Sequence, residues 1–154
     1  MTKLKEGDVA PPINAIDQHG EKITLEEFKG KKVVLYTYPK DNTPGCTAEA
    51  CDLRDHYEQF IEKGFVIIGI SGDSEASHQK FIRKYDLPFR LISDVDKKVL
   101  SDYDAWGEKK MYGKSFLGII RKTFIIDEEG IVEKIIEKVN TKDHSKQIFK
   151  ELSH

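Results

Sequence analysis

The chain contains two cysteines, Cys46 and Cys51. They are its best candidates for nucleophilic or redox chemistry. Cys46 follows a Pro-Gly pair in a polar loop, and the apolar spacing after it predicts a helix. With Thr43 as the N-cap and Pro44 at the first helical position, Cys46 falls in the first turn. Unpaired N–H groups and the positive helix end there favour the thiolate, the reactive form of cysteine. The alternative for Cys46 is a small buried hydrophobic residue.

The spacing of the two cysteines predicts that they cannot form a disulfide while this helix is intact. Five residues of regular helix give a rise of about 7.5 Å and a rotation of about 140°. The Cα atoms are then about 8–9 Å apart, beyond the limit of about 7 Å for a disulfide. A bond requires part of the helix to unwind, and the mostly polar residues 52–56 predict that unwinding exposes little apolar surface. The alternative for Cys51 is a core residue on the inner helix face.

Periodic apolar segments predict the elements that position these cysteines. Residues 33–38 and 65–70 are continuous β-branched and aromatic runs typical of buried strands, and residues 46–63 have helical spacing. Further on we predict a helix capped by Asp73 or Ser74, a strand at 90–93, a helix at 97–103, a hairpin at 122–127 and 131–139, and a helix at 143–152. This order indicates an α/β fold with a mixed central sheet flanked by helices, forming a single domain over residues 1–154.

Three motifs resemble one protein family. Residues 39–46 read PKDNTPGC and match the peroxiredoxin pattern P-x-x-x-T-x-x-C, and Arg121 matches the arginine that completes the active site of that family. Residues 103–109 contain Y-x-x-W-x-x-K, which, with the Cys46–Cys51 spacing, resembles the bacterioferritin-comigratory (peroxiredoxin Q) subgroup. The resemblance covers residues 7–139 and implies a thioredoxin-like fold.

The resemblance also implies an activity, that of a thiol-dependent peroxidase reducing hydrogen peroxide and organic hydroperoxides in antioxidant defence. Cys46 would be the nucleophile that becomes a sulfenic acid, and Cys51 would resolve it to an intramolecular disulfide. Thioredoxin or a glutaredoxin is the expected reductant of that disulfide. Neither a cofactor nor a metal is expected, and the subgroup resemblance favours a monomer.

Four further residues receive roles from the resemblance. Arg121 would supply a cation to the thiolate and the leaving oxygen, and Thr43 a hydroxyl that orients the peroxide. Pro39 would shield the sulfenic acid from water, and Glu49 would hold the guanidinium. Each residue also has an ordinary explanation: a surface ion pair for Arg121, a helix cap for Thr43, strand termination for Pro39, and compensation of the helix dipole for Glu49.

Three other functions compete with the peroxidase. A zinc site usually needs four ligands, and the five histidines show no H-x₃₋₅-H spacing. A disulfide oxidoreductase usually has C-x-x-C at this helix start, whereas this chain has C-x-x-x-x-C. A non-enzymatic interaction or holdase module would use the apolar residues 116–120 as a contact surface, although the same residues could line the mouth of an active site.

Charge and composition indicate which partners and which compartment to expect. The net charge of -2, from 25 basic and 27 acidic residues, argues against nucleic-acid binding as the main function. No apolar stretch approaches the roughly 20 residues that span a bilayer, and residues 1–8 lack an apolar signal region. Two closely spaced cysteines in a reducing compartment are more often catalytic or metal-binding than structural. These observations predict a cytoplasmic protein that does not associate with membranes.

Overall fold

The computed structural model describes residues 3–153, so residues 1, 2 and 154 of the predicted domain lie outside the described part. The elements follow one another in this order: β1 (Asn14–Ile16), β2 (Lys22–Thr24), a 3₁₀ turn (Glu26–Phe28), β3 (Lys32–Thr37), α1 (Pro44–Asp55), α2 (Tyr57–Glu62), β4 (Phe65–Ser71), α3 (Glu75–Tyr85), β5 (Arg90–Ser93), α4 (Lys98–Asp102), β6 (Trp106–Met111), β7 (Lys114–Ile119), β8 (Lys122–Ile126), β9 (Val132–Ile136) and α5 (His144–Leu152).

The central sheet has five strands in the order β5-β4-β3-β8-β9. β3, β4 and β5 are parallel, whereas β8 is antiparallel to β3 and β9 is antiparallel to β8. The predicted mixed sheet is therefore confirmed, including the hairpin that β8 and β9 form. Strands in the middle of such a sheet are covered on both faces, which explains the continuous apolar sequences of β3 and β4.

The core lies on both faces of this sheet. Val34 and Tyr36 of β3 pack in one cluster with Cys46 of α1 and Ile148 of α5. The neighbouring side chains of β3 point to the opposite face, because side chains alternate along a strand. They pack there with α4 and with Phe124 and Ile126 of β8. α1 and α5 therefore share one face of the sheet, and this face carries both cysteines.

The structure differs from the sequence prediction in two places. The helix predicted over residues 46–63 is two helices, α1 and α2, separated at His56, whose backbone (φ -110°, ψ 12°) leaves the helical region. Apolar periodicity continues across the break because Leu53 and Phe60 both face the same cluster, so the pattern could not reveal it. The strands β1, β2, β6 and β7, which form small two-stranded sheets, were also missed. β1, β2 and β6 have no continuous apolar run, and the apolar residues of β7 were interpreted as a contact surface or an active-site mouth.

Candidate active site

The pairing of β3 with β8 brings Arg121 to the start of α1. The last residue of β3, Thr37, lies opposite Lys122, the first residue of β8. The Thr37 hydroxyl donates to the carbonyl of Ile120 at 2.7 Å and accepts from the N–H of Lys122 at 3.0 Å. These bonds fix the chain on both sides of Arg121. A residue 75 positions after Cys46 is thereby held beside the helix that begins one loop after β3.

Cys46, Arg121 and Glu49 form a compact charged group. Arg121 Nη2 donates to Cys46 Sγ at 3.2 Å, and Arg121 Nη1 donates to Glu49 Oε1 at 2.7 Å. Cys46 and Glu49 are buried, whereas the Arg121 side chain is 22% exposed. Gly45 leaves room for the guanidinium, since a Cβ there would lie 3.3 Å from Arg121 Nη2. The sequence-predicted group is thus brought together, with the cation between the sulfur and the carboxylate.

Burial controls the ionisation of the two partners of this group. Burial raises the pKa of Glu49 to about 7, even though the nearby Arg121 charge acts in the opposite direction. Burial also opposes the charge on Arg121, but the neighbouring Glu49 and Cys46 raise its pKa overall. Arg121 therefore stays a cation throughout the physiological range, while Glu49 changes its charge near neutral pH.

The buried His144 extends the group to α5, which the sequence prediction missed. Its Nε2 lies 3.4 Å from Glu49 Oε2 and 2.7 Å from the hydroxyl of Thr123, and its Nδ1 lies 2.9 Å from Gln147 Oε1. Because Gln147 Oε1 also accepts from a backbone N–H and its Nε2 donates to a carbonyl, we assign the Nδ1–H tautomer. Burial lowers the pKa of His144 to about 4, so this imidazole is neutral at pH 7 and its bare Nε2 faces Glu49.

Thr43 occupies the predicted N-cap position, but its side chain does not cap the helix. Its backbone is extended, Pro44 is the first helical residue as predicted, and the hydroxyl instead donates to the carbonyl of Lys40 at 2.8 Å. The hydroxyl oxygen therefore keeps its lone pairs for another donor. Pro39 lies half-buried directly after the buried Tyr38, where the chain leaves the sheet.

Asp41 anchors the loop between β3 and α1, and this role was not predicted. Its carboxylate accepts from Tyr38 Oη at 2.6 Å and from Ser77 Oγ at 2.8 Å, and lies 2.7 Å from His78 Nδ1. Its own N–H donates to Asp73 Oδ2 at 2.8 Å. The loop that carries Thr43 is thus tied to α3 and to the connection that precedes it. Local sequence could not reveal this, because most of the partners lie at residues 73–78, more than 30 positions along the chain.

The second half of α1 carries Cys51, which is half-buried and a free thiol like Cys46. Burial raises the pKa of the Cys51 thiol. Both cysteines lie within one uninterrupted helix, so the geometric argument against a disulfide in this conformation applies. The expectation that unwinding of residues 52–56 exposes little apolar surface fails at Leu53, which is fully buried in the core cluster.

The remaining candidates give no comparable site. Among residues 3–153, the grouping of side chains with metal-ligand geometry is Asp41, Asp73 and His78, which includes neither cysteine. Of the apolar residues 116–120, Phe116 and Leu117 are exposed on β7. None of the helices described here combines the length and the apolar character that crossing a bilayer requires. The chemistry that the structure supports is therefore that of a nucleophilic sulfur held against a cation.

Comparisons with known proteins agree with this geometry. The AhpC/TSA family matches residues 7–135 of the chain. The chain is 49% identical over 141 residues to a protein named peroxiredoxin Bcp from Bacillus subtilis, covering 92% of this chain and 90% of that protein.

Solved structures give the same result. The structure of Xanthomonas campestris peroxiredoxin Q is similar with a TM-score of 0.85 and 38% identity, covering 92% of this chain and 89% of that chain. A structure of the Xanthomonas campestris bacterioferritin comigratory protein, described for its alkyl peroxide reduction activity, is similar with a TM-score of 0.85 and 37% identity, covering 92% of this chain and 90% of that chain. These similarities confirm the predicted thioredoxin-like fold and the predicted subgroup.

Proposed function

The chain belongs to the AhpC/TSA family and is a peroxidase of the peroxiredoxin type, and on this premise we propose that Cys46 is the nucleophile that reduces the peroxide. The observation that carries the proposal is the 3.2 Å contact between Cys46 Sγ and Arg121 Nη2. The contact places a permanent positive charge beside the sulfur that attacks the peroxide. Among the sulfur atoms of the described chain, Cys46 Sγ has the environment that a thiolate nucleophile requires.

The first step is the attack of the Cys46 thiolate on the terminal oxygen of a hydroperoxide. An S–O bond forms and the O–O bond breaks, so the sulfur becomes a sulfenic acid and the leaving oxygen becomes water or an alcohol after taking up a proton. Negative charge moves from the sulfur to the leaving oxygen. Arg121 faces the sulfur with a fixed positive charge, so it stabilises this charge without reorganisation.

Three further residues support this step in the proposal. Thr43 orients the peroxide, because its hydroxyl donates to Lys40 and can accept the peroxide hydrogen. Glu49 holds the guanidinium in the plane that faces the sulfur through its 2.7 Å bond to Nη1. Pro39 limits the access of water to the sulfenic acid from its half-buried place at the start of the loop.

The second step is resolution by Cys51. The Cys51 sulfur attacks the sulfenic sulfur of Cys46, an S–S bond forms, the S–O bond breaks and water leaves. α1 must unwind for this, because both cysteines lie in the same intact helix. An external dithiol then reduces the disulfide and restores both thiols.

The reductant, the compartment and the oligomeric state are also part of the proposal. We assign the reductant to the thioredoxin or glutaredoxin class, because reduction of a disulfide consumes two thiols and a dithiol supplies both from one molecule. A reducing cytoplasm supplies such dithiols and fits a chain with only two cysteines. We further propose a single-domain monomer, since both faces of the one central sheet are covered by helices and loops of the same chain.

Replacing each cysteine in turn tests the assignment. We expect Cys46→Ser to abolish peroxide consumption in the presence of thioredoxin and thioredoxin reductase. We expect Cys51→Ser to consume about one equivalent of peroxide rapidly and then to stop, as measured by following peroxide loss over time.

The two variants control for each other, because both remove one sulfur from the same helix. Normal turnover by Cys46→Ser would contradict the choice of nucleophile. An intramolecular disulfide is impossible in Cys51→Ser, so sustained thioredoxin-dependent turnover at the wild-type rate would show that Cys51 has no part in the cycle.

A further inference from the structure

The opening of α1, on which the proposed resolving step rests, is opposed by contacts of the residues that follow Cys51. Arg54 Nη1 donates to the carbonyl of Tyr85 at the end of α3, at 2.7 Å. Leu53 is buried in the core. Asp52, which directly follows Cys51, accepts a hydrogen bond of 2.6 Å from Ser145 on α5.

The contact between Asp52 and α5 replaces a missing helix cap. Asp143 stands at the N-cap position of α5, but its side chain makes no capping bond. The carboxylate of Asp52 instead accepts from the N–H of Ser145, in the first turn of α5, at 2.6 Å. The hydroxyl of Ser145 donates back to the backbone carbonyl of Asp52 at 3.2 Å. Asp52 therefore caps α5 from another helix.

Three properties make this contact strong. The acceptor is a carboxylate, the donor is an otherwise unpaired N–H at the positive end of a helix, and the Asp52 side chain is only 11% exposed. Because Ser145 bonds both the side chain and the backbone of Asp52, unwinding of α1 next to Cys51 breaks two bonds at once. The contact therefore stabilises the closed conformation of α1 next to Cys51.

We propose that Asp52 is a positioning residue for the resolving step, and that its contact with Ser145 controls how fast Cys51 reaches the oxidised Cys46. Asp52 acts through the helix that carries Cys51 and does not touch the peroxide. A strong contact keeps α1 closed for the attack on peroxide and slows the formation of the disulfide. During that delay a second peroxide can oxidise the sulfenic acid to a sulfinic acid, so the same contact determines how readily the protein is overoxidised.

Graded replacements test this proposal in single-turnover experiments. Each protein is reduced, mixed with one equivalent of hydrogen peroxide, and quenched with acid and an alkylating reagent at increasing times. Mass spectrometry then measures the loss of the Cys46 thiol and the appearance of the disulfide separately. We expect Asp52→Ala to accelerate disulfide formation, relative to thiol loss, about tenfold, the kinetic equivalent of about 1.4 kcal/mol for one charge-assisted hydrogen bond.

Two more variants separate charge from hydrogen bonding. Asp52→Asn removes the same charge but keeps an acceptor oxygen, so we expect a smaller acceleration, of about threefold, from the weaker neutral bond. Ser145→Ala removes only the bond from the Ser145 hydroxyl and should accelerate the step about twofold. At high peroxide the sulfinic fraction should fall in the same order, with Asp52→Ala lowest.

Two controls distinguish this effect from general loss of stability. Glu58→Ala removes an exposed acid from α2, and Val132→Ala destabilises the core at β9, far from α1. Neither should accelerate the disulfide step. If Asp52→Ala and Ser145→Ala form the disulfide at the wild-type rate, or if Val132→Ala accelerates it equally, the inference is wrong while the proposed function stands. If the wild type forms no intramolecular disulfide at all, the proposed role of Cys51 fails and the inference fails with it.

Discussion

The two halves of α1 differ in what holds them in place. The first half contains Cys46 and Glu49, which form a charged group with Arg121, directly before β8, and His144 of α5. The second half, which begins at Cys51, is held by separate contacts made one residue at a time. The first half is thus fixed by a network whose parts support one another, whereas the second half can be released by breaking few bonds.

This difference matches the two demands of the proposed cycle. Attack on a peroxide needs a sulfur and a cation in fixed geometry, because a fixed charge stabilises the moving charge without rearranging. Resolution needs a segment that moves, and local unfolding selects the segments with the fewest independent contacts. The comparison teaches that one helix of 12 residues serves both demands because its two halves have different partners.

The largest expected effect comes from removing the cation that contacts the first half of α1. We expect Arg121→Gln to slow the oxidation of Cys46 by hydrogen peroxide by about 10²- to 10³-fold, because it removes the charge that faces the sulfur. Stopped-flow measurement of thiol loss gives the rate. The matched control is Arg54→Gln, which removes an arginine from the second half and should change this rate less than about threefold. Equal losses in both variants would show that the two halves do not differ in the way described.

The next effect tests the anchor of the second half. We expect Leu53→Ala to lower the free energy of unfolding of the reduced protein by about 3 kcal/mol, since it leaves a cavity in the core. Urea denaturation followed by circular dichroism measures this change. Ile61→Ala, which truncates a half-exposed residue on α2, serves as the control and should cost less than about 1 kcal/mol. A similarly small cost for Leu53→Ala would mean that only the polar contacts hold this half.

The last prediction concerns how the stability of the protein depends on pH. In the folded protein the pKa of Glu49 is about 7, above its ordinary value of 4.5, so the folded state binds this proton more tightly and stability falls as pH rises from 4.5 to 7. The pKa of His144 is about 4, below its ordinary value of 6.5, so the unfolded state binds that proton more tightly and stability rises from pH 4 to 6.5. The two contributions oppose each other over most of this range.

We therefore expect a nearly flat stability for the wild type between pH 4.5 and 6.5, as far as these two groups are concerned. In Glu49→Gln the falling contribution is gone, so stability should rise by up to about 3 kcal/mol across that window. Urea denaturation at half-unit steps of pH measures both curves. Asp55→Asn, at an exposed position in the second half of α1, should leave the wild-type curve almost unchanged. Parallel curves for wild type and Glu49→Gln would refute the coupling of the first half to α5.

Local patterns predicted most of the regular structure for physical reasons. β3, β4 and β8 have apolar runs of strand length, and β9 follows a polar turn that ends in Gly130. Ser74 and Pro44 stand where helix caps and first turns favour them. The break at His56 escaped prediction because apolar spacing continues through it. The hairpin of β6 and β7 escaped because exposed strands on a small sheet need no apolar face.

By itself, the sequence predicted the α/β order of elements and the start of α1 at Pro44, and a short motif pointed to the residues proposed as reactive. These features are local, since backbone preferences and capping act over a few residues. Only the tertiary structure decided that Glu49 faces His144, that Asp41 ties the loop to α3, and that Asp52 caps α5. Such contacts join residues far apart in the chain, and their distances follow from how helices pack on the sheet, which no spacing along the sequence encodes.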